Sequence, residues 1–234
     1  MKPNLFEIST KELTQYAFIV WLLKWADEDN ASENTELNIC GKDFTHSLIK
    51  KVYPDFSDAI VTVKAGRQLN YIDIWAIVND KYFIIIEDKT ETTKHGNQLS
   101  NYKKWAEKHY ALYRPVLIFL KTGNESLTRL FSIEEKEGYK WFSRQEFLDI
   151  LKKYTIQNDI YMDYLFHLQR IEQETQSYQT KKGLELHGLV PKGFFCFCRV
   201  ISKNILIGRM YQTNQADLWG SFITGGNIKR PGRN

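Results

Sequence analysis

Cysteine, long apolar runs and a strong charge of one sign are all scarce in this sequence of 234 residues. Its three cysteines are an odd number, and no signal peptide follows the opening methionine, so we expect no disulfides and a reducing cytoplasmic location. The apolar run Tyr16 to Leu23 is too short to span a bilayer, which predicts a buried core helix. Because the net charge of +4 is mild, any contact with nucleic acid must come from local basic patches.

The composition predicts one hydrophobic core rather than a metal-stabilised fold. With 43% hydrophobic and 14% aromatic residues, the chain is long enough for a single domain with a small appendage. Cys196 and Cys198, with His187 nearby, were the only candidates for zinc. One Cys-x-Cys pair lacks a second ligand pair, and it lies in Gly193 to Val200, which is typical of a buried strand. We therefore expect no zinc.

Two strand-like runs meet at a polar turn near the middle of the chain. Tyr71 to Val78 and Tyr82 to Asp88 are rich in β-branched and aromatic residues, and Asn79-Asp80-Lys81 separates them. This pattern predicts a β-hairpin. A three-residue loop then sets Asp73 directly opposite Glu87.

The predicted pairing makes two carboxylates neighbours on one face of the hairpin. Alternation along the strand adds Lys89 to the face of Glu87 and turns Asp88 to the other side. Like charges side by side repel, and a cation between them removes that cost. Carboxylate oxygens at this spacing suit Mg²⁺ or Mn²⁺. Two alternatives stay open: the acids simply lie where the hairpin enters solvent, or a loop of another length breaks the pairing.

The acids and the lysine of this hairpin resemble a known signature. Asp73, thirteen intervening residues and Glu87-Asp88-Lys89 are similar to the D…(D/E)-x-K motif of the PD-(D/E)XK nuclease superfamily, with Ile72 where the proline of the motif stands. The resemblance implies metal-assisted hydrolysis of phosphodiester bonds. The carboxylates of Asp73 and Glu87 and the main-chain carbonyl of Asp88 would hold one or two Mg²⁺ or Mn²⁺ ions. Lys89 would orient or deprotonate the attacking water.

Two residues on the next predicted helix match a second motif. Gln98-Leu-Ser-Asn-Tyr102 resembles the Q-x-x-x-Y motif of the exonuclease-like branch of the superfamily. Residues four apart share a helix face, so Gln98 and Tyr102 are candidates to face a phosphate or the attacking water. The alternative is structural, because a glutamine and a tyrosine on an amphipathic helix are also ordinary surface and core residues.

The first helix offers one more acid. Several branches of the superfamily add an acid from this helix to the metal site, and Glu12 is the candidate here. Ser9-x-x-Glu12 is equally a capping box, in which the glutamate bonds back to the cap amide. The opening of the chain is similar to a bacterial subgroup of these nucleases that occurs as stand-alone proteins and as modules of anti-phage defence systems. The resemblance covers roughly residues 5 to 155.

The order of predicted elements also resembles the αβββαβ core of the superfamily. We therefore expect an α/β, restriction-endonuclease-like fold, with a mixed central sheet flanked by helices over residues 1–155. A C-terminal helix-plus-strand extension over residues 156–234 should pack on this core and end in a basic tail. The predicted elements around the hairpin are a loop at Asn30 to Asn38, helices at Gly41 to Val52, Asn97 to Tyr110, Ser143 to about Tyr154 and Asn158 to Gln179, and strands at Ala59 to Leu69, Pro115 to Leu120, Tyr139 to Phe142 and within Gly183 to Leu218.

The resemblance implies a magnesium-dependent deoxyribonuclease. It favours DNA over RNA as the bound nucleic acid and implies no contact with a membrane. It leaves open whether the protein forms a homodimer or binds a partner protein of a defence system. Two other classes remain: a catalytically silent member of the fold that binds nucleic acid or a protein, and an unrelated α/β domain. The candidate basic contacts are Lys64, Arg67, Lys94-His95, Lys103-Lys104, Lys152-Lys153, Lys181-Lys182 and the tail with Lys229, Arg230 and Arg233.

Overall fold

A five-stranded mixed sheet forms the centre of the protein. The computed structural model describes residues 3–8, 12–89 and 98–176. Its strands, in their spatial order, are β1 (Val63–Leu69), β2 (Ile72–Val78), β3 (Tyr82–Lys89), β4 (Arg114–Lys121) and β5 (Lys140–Ser143). The first three strands pair antiparallel, and β3, β4 and β5 run parallel to one another. This architecture confirms the expected fold class.

Helices cover both faces of the sheet. They are α1 (Leu5–Ile8), α2 (Glu12–Trp25), α3 (Thr35–Val52), α4 (Gln98–His109), α5 (Leu127–Glu137), α6 (Arg144–Leu151) and α7 (Asp159–Gln176), with a short 3₁₀ helix at Glu28–Asn30. The larger hydrophobic cluster joins one sheet face to α1, α2, α3, α6 and α7, and the smaller one joins the other face to α4 and α5. The strands predicted after residue 183 lie outside the described residues.

The central strand β3 is buried along its whole length. Ile84 and Ile86 point into the larger cluster, while Phe83 and Ile85 point into the smaller one. An unbroken apolar run is what a strand covered on both faces requires. The polar residues that follow this run are therefore carried into the interior by the same strand.

Helix α2 is the core helix that the apolar run predicts. Ile19, Leu22 and Leu23 are fully buried. Gly41 of α3 lies against the backbone of α2, where a Cβ atom would come within 2.6 Å of the Leu22 carbonyl oxygen. Only a glycine allows this close approach of the two helices. No helix in the described ranges is both long and apolar enough to cross a membrane.

The loop predicted at Asn30 to Asn38 is wrong in its second half, because α3 already begins at Thr35. The Asn34 side chain accepts a hydrogen bond from the Leu37 amide at 2.9 Å and caps the helix. The Asn38 side chain donates to the main-chain carbonyls of Trp25 and Asp27, both at 2.8 Å. The polar composition of this segment thus reflects capping and helix anchoring rather than a loop.

The strand predicted from Ala59 also starts later, at Val63. The Asn79 side chain, in the turn between β2 and β3, accepts hydrogen bonds from the amides of Val61 at 2.9 Å and Thr62 at 3.1 Å. It also donates to the Ala59 carbonyl at 2.7 Å. One asparagine therefore takes the place of a strand partner for this segment.

One helix, which lies between β4 and β5, was not predicted from the sequence. Helix α5 begins after Ser126, whose side chain accepts from the Arg129 amide, and it ends at Gly138 with φ 76°. Leu130 and Ile133 bury its apolar side.

The last two described helices, α6 and α7, follow the predicted pattern. The capping box of Ser143 and Glu146 at the start of α6 is confirmed, although the helix ends at Leu151 rather than near Tyr154. The apolar stripe of α7 includes Tyr161 and Leu168 and packs into the larger cluster. The division of the chain at residue 155 stays a prediction.

We predict that Asn79→Ala lowers the free energy of unfolding by about 2 kcal/mol or more, since it removes three hydrogen bonds and the residue type suited to φ 52°. Asn79→Gly should cost less, because glycine keeps the left-handed conformation. Urea denaturation followed by circular dichroism measures both. An Asn79→Ala variant as stable as wild type would contradict the anchoring role.

Candidate functional site

The hairpin of β2 and β3 has the predicted register. Val78 pairs with Tyr82, and the ladder continues outward to Ile74 opposite Ile86. The next step along both strands is Asp73 beside Glu87. The Asp88 amide donates to Asp73 Oδ2 at 3.4 Å, which keeps the two strands together at this point.

Lys89 joins the two acids on one face of the sheet. Its Nζ lies 2.9 Å from Glu87 Oε1 and 3.6 Å from Asp73 Oδ2. Glu87 is only 1% exposed and Lys89 only 7% exposed. The alternative in which the acids simply enter solvent therefore fails for Glu87. Two carboxylates and one ammonium group share a small, largely dry volume.

Burial controls the protonation of this cluster. It raises the pKa of Glu87 to about 8, and the negative charge of Asp73 adds to the effect. Burial also raises the pKa of Asp73, while the Lys89 ammonium opposes that rise. Both shifts arise because a charged carboxylate loses its water shell here and Lys89 offsets only part of the loss. No group of the described residues donates a hydrogen bond to Glu87 Oε2.

The donor atoms of this cluster fit a hard divalent cation. Two carboxylates lie side by side, and the orphaned Oε2 of Glu87 is a buried oxygen in need of a positive partner. The described residues contain no cluster of three or more His, Cys, Asp or Glu side chains suited to a metal. The main-chain carbonyl of Asp88, the third predicted oxygen donor, accepts a hydrogen bond from the Tyr16 hydroxyl at 3.3 Å, and its role as a ligand stays a prediction.

The side chain of Asp88 points to the opposite sheet face, as alternation predicts. Gln15 of α2 donates to Asp88 Oδ1 at 2.5 Å, and the Thr122 hydroxyl donates to Gln15 Oε1 at 3.0 Å. Gln15, Asp88 and Thr122 are all buried. This chain of hydrogen bonds fixes α2 to the end of β3 and β4. Gln15 was not among the predicted site residues, although its place within an otherwise apolar helix was a signal that could have identified it.

Helix α4 brings the predicted glutamine and tyrosine to the same side as the acids. Gln98 Nε2 donates to the Tyr102 hydroxyl at 2.5 Å. Burial raises the pKa of Tyr102, and the nearby charges of Glu87 and Asp73 contribute in the same direction. Tyr102 thus lies close to the acids, with Gln98 holding its hydroxyl. Whether these residues face a substrate phosphate or only complete the core stays open.

A second tyrosine near the acids was missed. Burial raises the pKa of Tyr139, and the charge of Glu87 is the next largest cause. The Tyr139 hydroxyl donates to the Leu99 carbonyl at 3.4 Å. Its sequence neighbours indicated only the start of a strand, and its closeness to Glu87 depends on the packing of α4 against the sheet.

The position of Glu12 is consistent with either of its predicted roles. Glu12 is the first residue of α2, at the end of that helix nearer the acids, but its side chain and Ser9 lie outside the described residues. The metal-ligand and capping-box readings both stay predictions.

The predicted basic contacts are only partly described. Lys64 and Arg67 lie exposed on β1, and Lys103 and Lys104 lie on α4. Lys153 forms an ion pair with Asp43 at 2.9 Å. The remaining basic pairs and the zinc candidates fall outside the described residues, namely Lys94-His95, Lys181-Lys182, His187, Cys196, Cys198, Lys229, Arg230 and Arg233.

We predict that the metal-free protein becomes less stable as the pH rises from about 5 to 8. Glu87 has a pKa of about 8 when folded against an ordinary 4.5, so the folded state holds a proton that the unfolded state has released. Glu87→Gln should remove this dependence and gain on the order of 1–3 kcal/mol over wild type at pH 8. Urea denaturation in EDTA measures the effect.

The control for this pH series is Glu107→Gln, which changes an exposed glutamate of α4. Added Mg²⁺ or Mn²⁺ should raise the Tm of wild type and leave that of Glu87→Gln unchanged. Parallel stability curves for wild type and Glu87→Gln between pH 5 and 8 would contradict the burial argument.

Comparison with known proteins agrees with this geometry. A family model described as PD-(D/E)XK nuclease superfamily matches residues 3–185, more than half of the chain. Nucleases of this superfamily bind nucleic acid and generally use divalent metals. Neither the curated proteins nor the solved structures gave a match.

Proposed function

This chain belongs to the PD-(D/E)XK nuclease superfamily, and on that premise we propose that it hydrolyses phosphodiester bonds in DNA with the help of Mg²⁺ or Mn²⁺. The observation that carries the proposal is the contact of the Lys89 ammonium with two carboxylates, the buried Glu87 at 2.9 Å and the half-buried Asp73 at 3.6 Å. All three elements of the family signature thus meet in one volume at the end of β3.

In the proposed site, the metal ligands are Asp73, Glu87 and the carbonyl of Asp88. The bound cation supplies a Lewis acid that activates water and neutralises charge on the phosphate. The protein's contribution is to hold these oxygens in a fixed arrangement, with Asp73 and Glu87 on paired strands and Asp88 tied through Gln15 to α2. Fixed donors need no reorganisation during the reaction.

Lys89 is proposed to act on the attacking water. Its ammonium lies against Glu87, so it can donate a hydrogen bond to a water oxygen beside the carboxylates. In the reaction the water oxygen bonds to phosphorus and the water releases a proton to the solvent, while one P–O ester bond breaks and the departing alkoxide takes up a proton from the solvent. Gln98 and Tyr102 are proposed to contact the phosphate or this water, and Glu12 to add a further acid.

The proposed biological setting extends the family assignment. A role in anti-phage defence, with a homodimer or a partner protein of such a system, rests on the similarity of the N-terminal sequence to defence-associated nucleases. A cytoplasmic location is part of the same proposal and rests on the odd number of cysteines, three, in the sequence. Expression in a bacterial host should reduce plaque formation by at least one phage in a varied panel, and Glu87→Gln should abolish the protection.

The direct test is cleavage of supercoiled plasmid, of linear single- and double-stranded DNA and of RNA in Mg²⁺, Mn²⁺ or EDTA. We expect cutting of DNA that requires the metal. Asp73→Asn and Glu87→Gln should each lower the rate about a thousandfold or more, since a bound metal supplies several kcal/mol of transition-state stabilisation. Lys89→Met should also lose activity, with circular dichroism showing that every variant is folded.

Glu107→Gln on the outer side of α4 is the matched control and should cut like wild type. Cutting that survives both Asp73→Asn and Glu87→Gln would rule out this site. Binding of DNA without cutting under every metal condition would instead favour the alternative, a catalytically silent member that only binds nucleic acid or a protein partner.

A further inference from the structure

The turn between β1 and β2 carries an unusual run of backbone conformations. Gln68, Asn70 and Tyr71 have φ values of 57°, 49° and 69°, all in the left-handed region. Gln68 lies between the pairs Arg67–Ile74 and Leu69–Ile72, so it stands opposite Asp73. Left-handed backbone is unfavourable for a bulky side chain such as tyrosine, because the Cβ atom approaches the following carbonyl.

The other hairpin provides a comparison within the same molecule. The turn between β2 and β3 also has two left-handed residues, Asn79 and Asp80. Asparagine and aspartate are the residue types that tolerate this conformation best after glycine. The turn at the opposite end of the sheet is therefore built from suitable residues, whereas Tyr71 is not the residue that turn stability would favour.

Burial of the ring does not explain the tyrosine either. The side chain of Tyr71 is 83% exposed, so its ring contributes little to the hydrophobic core. A lone exposed aromatic residue is common on protein surfaces. An exposed ring held on strained backbone beside a catalytic cluster is less common, and strain of this kind concentrates at functional sites.

The position of the ring relates it to the proposed active site. β2 runs antiparallel to β3, so the turn before β2 lies at the end of the sheet where Glu87 and Lys89 lie. Tyr71 precedes Asp73 by two residues, so the two Cα atoms are at most about 7 Å apart. Tyr71 is therefore close enough to reach a nucleotide beside a phosphate held at Asp73. Arg67 is exposed on the adjoining strand and adds positive charge there.

We propose that Tyr71 is a stacking platform for an unpaired base of the nucleic-acid substrate near the cleaved bond. In a duplex, the neighbouring base pairs cover both faces of each base, so a single ring stacks on a base that is single-stranded, terminal or bulged. The preferred substrate is therefore a strand with unpaired bases near the cleavage position. This inference rests on the proposed function, because it needs the phosphate to lie at Asp73 and Glu87.

The test compares three substitutions of the ring. Tyr71→Gly removes the ring and relieves the left-handed strain, Tyr71→Asn does the same with a polar side chain, and Tyr71→Trp keeps an aromatic surface. Leu112→Ala is the control, because Leu112 is 97% exposed and lies in the turn before β4, at the opposite end of the sheet. Fluorescence anisotropy in EDTA gives the Kd for a labelled oligothymidine and for a blunt duplex, and cleavage with Mg²⁺ gives KM and kcat.

We expect Tyr71→Gly and Tyr71→Asn to weaken binding of the single strand about tenfold, within the range for loss of one stacked base, and to leave duplex binding unchanged. Tyr71→Trp and Leu112→Ala should bind the single strand like wild type. On single-stranded substrate, KM should rise with Kd while kcat changes little. The Tm of Tyr71→Gly should equal or exceed that of wild type, since glycine suits the backbone.

Three results for Tyr71→Gly would overturn the stacking role. They are unchanged single-strand binding by Tyr71→Gly, an equal loss on single strand and duplex, and a lower Tm of Tyr71→Gly, which would show that the ring stabilises the turn. A wild-type protein that binds neither substrate would overturn it as well. The proposed nuclease activity and the proposed stacking role can be tested separately. Binding that depends on the Tyr71 ring, without cleavage, would contradict only the nuclease activity. Metal-dependent cleavage that Tyr71→Gly does not change would contradict only the stacking role.

Discussion

Two neighbouring carboxylates, one buried and one half-buried, are the constraint on which the rest of this structure depends. Asp73 and Glu87 sit where strands of the central sheet end, and a single ammonium group, that of Lys89, lies within 4 Å of both. One lysine cannot fully offset two desolvated carboxylates, so the cluster carries electrostatic stress that protonation of Glu87 relieves in the absence of a metal. A divalent cation relieves it without a proton, which links folding stability and metal binding through the same oxygens.

The fold holds this arrangement by covering β3 on both faces. Because successive side chains alternate, β3 sends Glu87 and Lys89 to the side of α4 and sends Asp88 to the side of α2. Gln15 holds Asp88 through a 2.5 Å hydrogen bond, so β3 is anchored on the face opposite Glu87 and Lys89. A shift of one residue would move every side chain to the wrong face. Because the run before Glu87 is apolar on both faces, the Asn79 turn and the hydrogen bond from Gln15 to Asp88 set the register instead.

Signals between neighbouring residues predicted the hairpin and its acids. The features that were not predicted depend on contacts between residues far apart in the sequence. The register followed from loop length and alternation, both of which involve neighbouring residues. The late start of β1 depends instead on Asn79 binding residues 17 to 20 positions earlier in the chain. Gln15 and Tyr139 come close to the acid motif only through helix packing, so no spacing in the sequence reveals their place. The early start of α3 was an exception, since Asn34 is a local cap that was read as loop.

The two ends of the sheet differ in how well their residues suit a stable fold. At the end away from the acids, the tight turn uses Asn79 and Asp80, residues that suit left-handed backbone, and Arg114 stacks over Tyr53 at 4.1 Å. At the end with the acids, carboxylates are buried together and Tyr71 occupies a conformation that disfavours it. Selection for stability alone would have removed both features. Their occurrence at one end of the sheet, within a few residues of each other, favours a common functional cause.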